Sequence, residues 1–300
     1  MCVSALAAIL LRPRACPDMD ARPRRAFAAI MFDSATTPRF QRSHGHAAVA
    51  FEGARLTGLA QRGSAKALLP HVRGVPEVVF LNTSGGLTAG DTLQYGLDLD
   101  GGAKVVATTQ AAERAYRAEG DAARVTVAHR VGQGGWLDWL PQETILFDHA
   151  RLSRETTVDL AEDAGCLLLE AVVLGRAAMG ETVQDLHFCD IRRINKAGKS
   201  IFLEPFLHNS NIIAKGPRVA LLGPARAFAT LVLCAQGAED AVGPARAALT
   251  VPGVQAAASG FDGKCVVRLL AEDGWPLRKQ ILQLMGALRR GAPPPRVWQT

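Results

Sequence analysis

The sequence predicts a mostly β protein, with many short strands in stacked, helically arranged sheets and two helices in the C-terminal half. Three observations predict it. From His44 onward, apolar and polar residues alternate with a period of two, the mark of strands with one buried and one wet face. Glycine-bearing turns punctuate the runs at Gly85-Gly86, Asp100-Gly101-Gly102, Gly134-Gly135, Ala197-Gly198 and Asp262-Gly263. Only two stretches read as helix. Pro276–Arg290 places Leu277, Ile281, Leu284, Met285 and Leu288 on one stripe, ended by Gly291 and three prolines. Ala238–Thr250 is rich in alanine and ends at Pro252-Gly253.

The strands are expected, in order, at Ala47–Phe51, Val78–Asn82, Leu93–Leu99, Lys104–Thr108, Arg124–His129, Trp136–Leu140, Glu155–Leu160, Cys166–Leu174, Leu186–Ile194, Ser200–Leu203, Ala227–Cys234, Val254–Ser259 and Cys265–Leu270. Many short strands and two late helices fit a sandwich, a solenoid or a stacked-sheet body. No fixed-period repeat marks a propeller or a leucine-rich array. No low-complexity linker divides residues 31–290, which read as one domain. Residues 1–30 read as a disordered extension outside the fold, and residues 291–300 as a flexible tail.

Composition sets limits on function. A hydrophobic share of 48% with 21% charged residues is that of a soluble globular chain, not a disordered one. No run reaches the roughly 18–20 apolar residues of a membrane span. The longest apolar stretch, Cys166–Gly175, is broken by Glu170. The net charge is +6, and the first thirty residues carry half of it. No basic stripe with interleaved aromatics follows, so nucleic acid is not an expected partner. Six scattered cysteines form no C-x-x-C and no zinc spacing, which reads as reduced, buried thiols in a cytoplasmic protein.

Four segments carry the chemistry. In Leu81–Thr92 the spacing Gly85-x-x-x-x-Gly90 mimics a phosphate loop, but Asp91 occupies the position of the phosphate-binding lysine and would repel phosphates. It reads either as a tight glycine turn with Asp91 capping backbone N–H groups, or as an exposed backbone surface with Asp91 open to a cation. Thr108-Thr109-Gln110 ends a strand in polar residues. Glu143 lies just past a strand end, in reach of a function or of an arginine. Glu170 sits in a strand apolar on both faces, where a carboxylate needs an ion pair or water. There is no nucleophile elbow, zinc-protease helix or dinucleotide fingerprint.

The stretches LNTSGGLTAGDTL (81–93), ATTQAAERAY (107–116), WLPQETILF (139–147) with His149-Ala150-Arg151-Leu152, and LGRAAMGE (174–181) resemble, in order and spacing, the urease accessory protein UreD (UreH) family. The resemblance covers residues 40 to 290 approximately. It implies a mostly β, non-enzymatic metallochaperone scaffold for nickel insertion into apo-urease. It implies UreF as partner, UreG through UreF, and the urease subunits. Nickel would be transient cargo passing along a wet internal tunnel, with no tightly bound cofactor. The family-motif positions are Asn82, Gly85, Gly86, Gly90, Gln110, Gly175, Arg176 and Gly180. Asp91, Glu143, Glu170 and Glu181 are the candidates for a metal transit path, since Ni²⁺ accepts oxygen and nitrogen ligands, and Glu170 is expected to line the hydrated path. The competing readings are a β-rich adaptor with no metal role, and a hydrolase using Asp/Glu acid–base residues.

Overall fold

A computed structural model describes residues 42–72, 74–216 and 221–299. The expected extension at residues 1–30 lies outside the described residues.

Seventeen strands and three α-helices follow one another among these residues. The first eight strands are β1 (His44–Glu52), β2 (Arg55–Gly63), β3 (Ala65–Leu68), β4 (Glu77–Asn82), β5 (Thr92–Asp100), β6 (Lys104–Thr109), β7 (Glu113–Ala115) and β8 (Ala123–Val131). There follow β9 (Trp136–Trp139), β10 (Thr144–Leu146), β11 (Ala150–Leu160), β12 (Gly165–Leu174), β13 (Leu186–Lys196), β14 (Lys199–Asn209) and α1 (Ser210–Ile213). The chain closes with β15 (Ala227–Cys234), α2 (Val242–Ala247), β16 (Val254–Phe261), β17 (Lys264–Ala271) and α3 (Gly274–Leu288).

The strands form two sheets. One runs β14-β13-β11-β8-β5-β1-β2 and the other β16-β17-β15-β12-β9-β6-β4-β3. Between β4 and β13 the long strands alternate between the two sheets, and those that adjoin within a sheet pair in parallel. The chain therefore winds as a two-layer coil, placing one strand in each sheet per turn. Successive turns of the seven-stranded sheet begin at Thr92, Ala123, Ala150 and Leu186. That uneven spacing is why the sequence carries no fixed period.

Burial follows the alternation. Strand β8 buries every second residue, Ala123 through Val131, and β11 does the same from Ala150 to Leu160. These side chains meet the inner face of the second sheet in one core that includes Leu93, Leu99, Leu137, Trp139, Leu168 and Phe188. Strands β12 and β15 are buried on both faces, because α3 lays Leu277, Ile281, Leu284, Met285 and Leu288 over the other side in a second core. Asp273 starts that helix by accepting the Trp275 backbone N–H at 2.7 Å.

Every expected strand is present, and the expected turns at Ala197-Gly198 and Asp262-Gly263 both close antiparallel pairs, with both turn residues at positive φ. Three differences stand out. The alanine-rich stretch forms a 3-10 turn (Ala238–Ala241) followed by only six α-helical residues, since Pro244 and Gly243 weaken it. A third helix, α1, is capped by Asn209, which accepts the Ile212 N–H. The expected flexible tail is packed instead: Trp298 is 1% exposed. Its indole N–H donates to the Leu140 carbonyl at 2.9 Å, and the Arg278 guanidinium lies over its ring. A tryptophan buries enough area to fix a terminal segment.

Candidate functional site

The four sequence motifs meet at one end of the coil. Strand β4 ends at Asn82, and the turn that follows returns alongside β7. Asn82 donates its amide to Glu113 at 3.3 and 3.4 Å, while its carbonyl oxygen accepts from Ser84 N–H and Oγ. The Tyr116 hydroxyl donates to the Gly85 carbonyl at 3.0 Å. The Tyr116 ring meets Phe147 edge-on with centroids 4.9 Å apart. Arg176 lies 4.3 Å over the Phe147 ring and pairs with Glu181 at 2.9 Å. Glu181 accepts the Asp148 backbone N–H, and His149 sits between the Asp148 and Asp185 carboxylates at 3.4 and 3.1 Å. Ser210 donates to the other Asp185 oxygen.

Glycine is required where backbones crowd. Gly86 has φ +154°, and a Cβ there would fall 2.8 Å from the Arg114 carbonyl and within the Tyr116 ring. Gly85 also has positive φ, but space beside it is open. Gly86→Ala is expected to displace Tyr116 and lower Tm by several degrees, whereas Gly85→Ala carries only the conformational cost of about 1–2 kcal/mol. Paired thermal melts check this. Equal melting of the two variants would contradict it.

The four metal candidates are not brought together. Asp91 is buried and accepts Ser43 N–H at 2.7 Å and Thr88 N–H at 2.8 Å, the backbone-capping alternative. Glu143 lies 3.5 Å from Arg278. The Arg176 hydrogen bond holds the Glu181 carboxyl below the usual carboxylate range, against partial burial. Among the motif glycines, Gly90, Gly175 and Gly180 all take positive φ, and Gly180 caps the 3-10 turn Ala177–Met179. Gln110 is exposed, and its backbone N–H bonds the Phe80 carbonyl. Among the described residues, no group of three or more His, Cys, Asp or Glu is placed to hold a metal ion.

Glu170 takes the ion-pair alternative, which corrects the expectation that it serves a wet path. It is 1% exposed, 2.7 Å from Arg154, and accepts from Thr156 at 2.9 Å and Trp139 at 3.3 Å. Arg154 also holds Asp190 bidentately, at 2.9 and 2.8 Å. Asp190 is shared with Arg192, which reaches Glu204, and Glu204 reaches the exposed Arg268. Three carboxylates and three guanidiniums thus alternate between the sheets, neutral in sum. Burial pushes the Asp190 carboxyl up, but Arg154 and Arg192 outweigh it and hold it at about 2. All of Glu170's reach is occupied by donors, so a passing cation would have to displace Arg154.

Glu113 lies within the second motif, but its role was not singled out from the sequence. Burial raises its carboxyl to about 7, while Asn82 and the Arg114 N–H draw it down. No described cationic side chain forms an ion pair with it. Its alternation partner Ala115 is buried, a signal that this short polar-looking segment faces inward. His149 stood in the third motif, but Asp148 and Asp185 were missed, since nothing in the sequence brings residues 148 and 185 together.

The architecture is a two-layer β coil that carries all four motifs at one end. The chain matches the family model described as UreD urease accessory protein over residues 43–299. It is 57% identical over 271 residues to the urease accessory protein UreD of a Cereibacter sphaeroides strain, covering 88% of this chain and 98% of that one. It is 50% identical over 276 residues to the UreD of Paracoccus denitrificans, covering 92% and 99%. Identity to the UreD of Rhizobium leguminosarum bv. viciae is 44% over 268 residues, covering 88% and 97%. The chain belongs to the UreD urease accessory protein family. Among the described residues, no helix is long and apolar enough to cross a membrane.

Proposed function

We propose that this chain is a non-catalytic scaffold of urease maturation, which docks UreF, and UreG through UreF, on apo-urease and passes Ni²⁺ to it in the cytoplasm. The convergence of all four family motifs on one end of the coil carries the reading, together with family membership. That end combines exposed and half-buried polar groups with a tight turn that needs glycine at Gly86, a surface suited to a partner rather than to a bound substrate. Glu113 is the carboxylate best suited to the cargo. A carboxyl near half-protonation at neutral pH can exchange its proton for a cation, and single weak oxygen ligands let the ion leave again.

A second reading has its own observation in support. Asp91, Glu143, Glu170 and Glu181 all have partners already, as a plain adaptor without metal contact would have. Co-expression of urease subunits with UreF and UreG, with and without this chain, tests the scaffold role. UreF is expected to co-purify with urease only when the chain is present, and urease activity to depend on it. UreF bound to urease to the same extent in its absence would overturn the proposal.

A further inference from the structure

The thiols of Cys166 and Cys234 lie outside everything described so far. They are direct register partners on the antiparallel strands β12 and β15. Both point into the core between the two sheets, at 0% and 1% exposure, and both are free. Residues directly opposite in such a pair have Cα atoms about 4.5–5.5 Å apart, inside the range of about 4.4–6.8 Å that a disulfide spans. The neighbouring Cys234 thiol is the largest influence on the Cys166 thiol and holds it protonated. Their rung is the outermost of the ladder, which runs from Cys166–Cys234 to Val173–Ala227. Past it, Glu162, Asp163, Gln236 and Gly237 are exposed, so the pair stands at the solvent-facing end of this ladder, with Cys166 also paired to Leu137 and Cys234 to Lys264. Cys265 is placed differently: it stands opposite Leu233 and packs in the core under the helices.

We propose that Cys166 and Cys234 form a reversible cross-strand disulfide when the folded protein meets a low-molecular-weight disulfide such as oxidised glutathione. One protein thiolate attacks a sulfur of the glutathione disulfide, breaking its S–S bond and releasing a glutathione thiolate, which takes up the proton the protein thiol gave up. The second protein thiolate then attacks the protein sulfur of the mixed disulfide. The Cys166–Cys234 bond forms and a second glutathione leaves as its thiol. Two protein thiols lose two electrons, and one glutathione disulfide gains them.

The reaction is slow near neutral pH and faster in mild alkali. The neighbouring Cys234 thiol, burial and the nearby Asp138 charge all keep the Cys166 thiol protonated, and only Lys196 works the other way. The bridge ties residues 68 positions apart, so it restricts the unfolded chain and raises Tm.

The test uses the full chain with Cys2 and Cys16 changed to Ser, treated with oxidised glutathione at pH 8, alkylated and mapped by peptide mass. The expected product is a linked peptide pair containing Cys166 and Cys234, lighter by two hydrogens, lost on treatment with dithiothreitol, with Tm raised by several degrees. Cys265→Ser retains the link, and Cys166→Ser and Cys234→Ser each abolish it. If either of those variants fails to fold, the map of the parent protein decides alone. A folded protein that shows no 166–234 link after exhaustive exchange, or a glutathione adduct that persists on one of the two without resolving, would overturn the proposal.

Discussion

Arg154→Met is expected to cost about 3–5 kcal/mol. The guanidinium is 7% exposed and serves Glu170, Asp190 and Thr144 at once. Removing it leaves Glu170 in a core of Leu168, Val172 and Trp139 with only two neutral donors. Breaking a buried pair on one side strands a charge, and that accounts for most of the cost. Glu170→Gln in the Arg154→Met background removes the stranded charge and should recover part of the loss. A double-mutant cycle in urea isolates the coupling. Additive losses, or a single-mutant loss within about 1 kcal/mol, would mean that the network contributes little. The replaced pair need not be stabilising in itself, since an apolar filling of the same shape can match it.

His129→Leu is expected to remove most of the acid sensitivity that this core contributes. His129 is 2% exposed, packs 4.6 Å from the Trp139 ring, and neither ring nitrogen has a partner. Burial alone drives its pKa from 6.5 down to about 3. In the unfolded chain the imidazole takes up a proton below pH 6.5, and the folded chain does not until about pH 3. The unfolded state therefore binds more protons across that window, and stability falls as pH falls. Present in full above pH 6.5, this contribution is lost by pH 3, a swing of about 4–5 kcal/mol. Leucine does not titrate and leaves no unsatisfied donor, so the variant should be at least as stable as the parent at pH 7. Unfolding free energies at several pH values between 7 and 4 provide the comparison. Parallel curves for parent and variant would contradict this account.

The alternation that announces the strands also holds much of the interior chemistry. Leu152, Arg154, Thr156, Val158 and Leu160 occupy one face of β11, so extending the pattern backward places Arg154 inside. Asp190 and Arg192 fall on the buried face of β13 in the same way. Buried charges were thus visible one strand at a time, as Glu170 was. Their pairing was not, because β11, β12 and β13 come together only through the coil. Strand β2 escaped notice because it is an edge strand with almost every residue exposed, leaving no period to read. Strands β7 and β10 have three residues each, too few for any pattern. The motifs come together at one end of the coil, but the sequence favoured its isolated carboxylates. The structure gives those four partners, and it leaves Glu113 bonded to Asn82 with no ion pair from a described cationic side chain.

The proposed delivery of nickel through the motif-bearing end is read most directly in the nickel content of urease. Urease would be purified from cells carrying UreF, UreG and either the parent chain, the Glu113→Gln variant or no chain, and its metal measured by mass spectrometry. Full loading is expected with the parent and almost none without it. With Glu113→Gln reduced loading is expected although the variant still binds urease. Equal nickel loading in all three would contradict the proposed delivery.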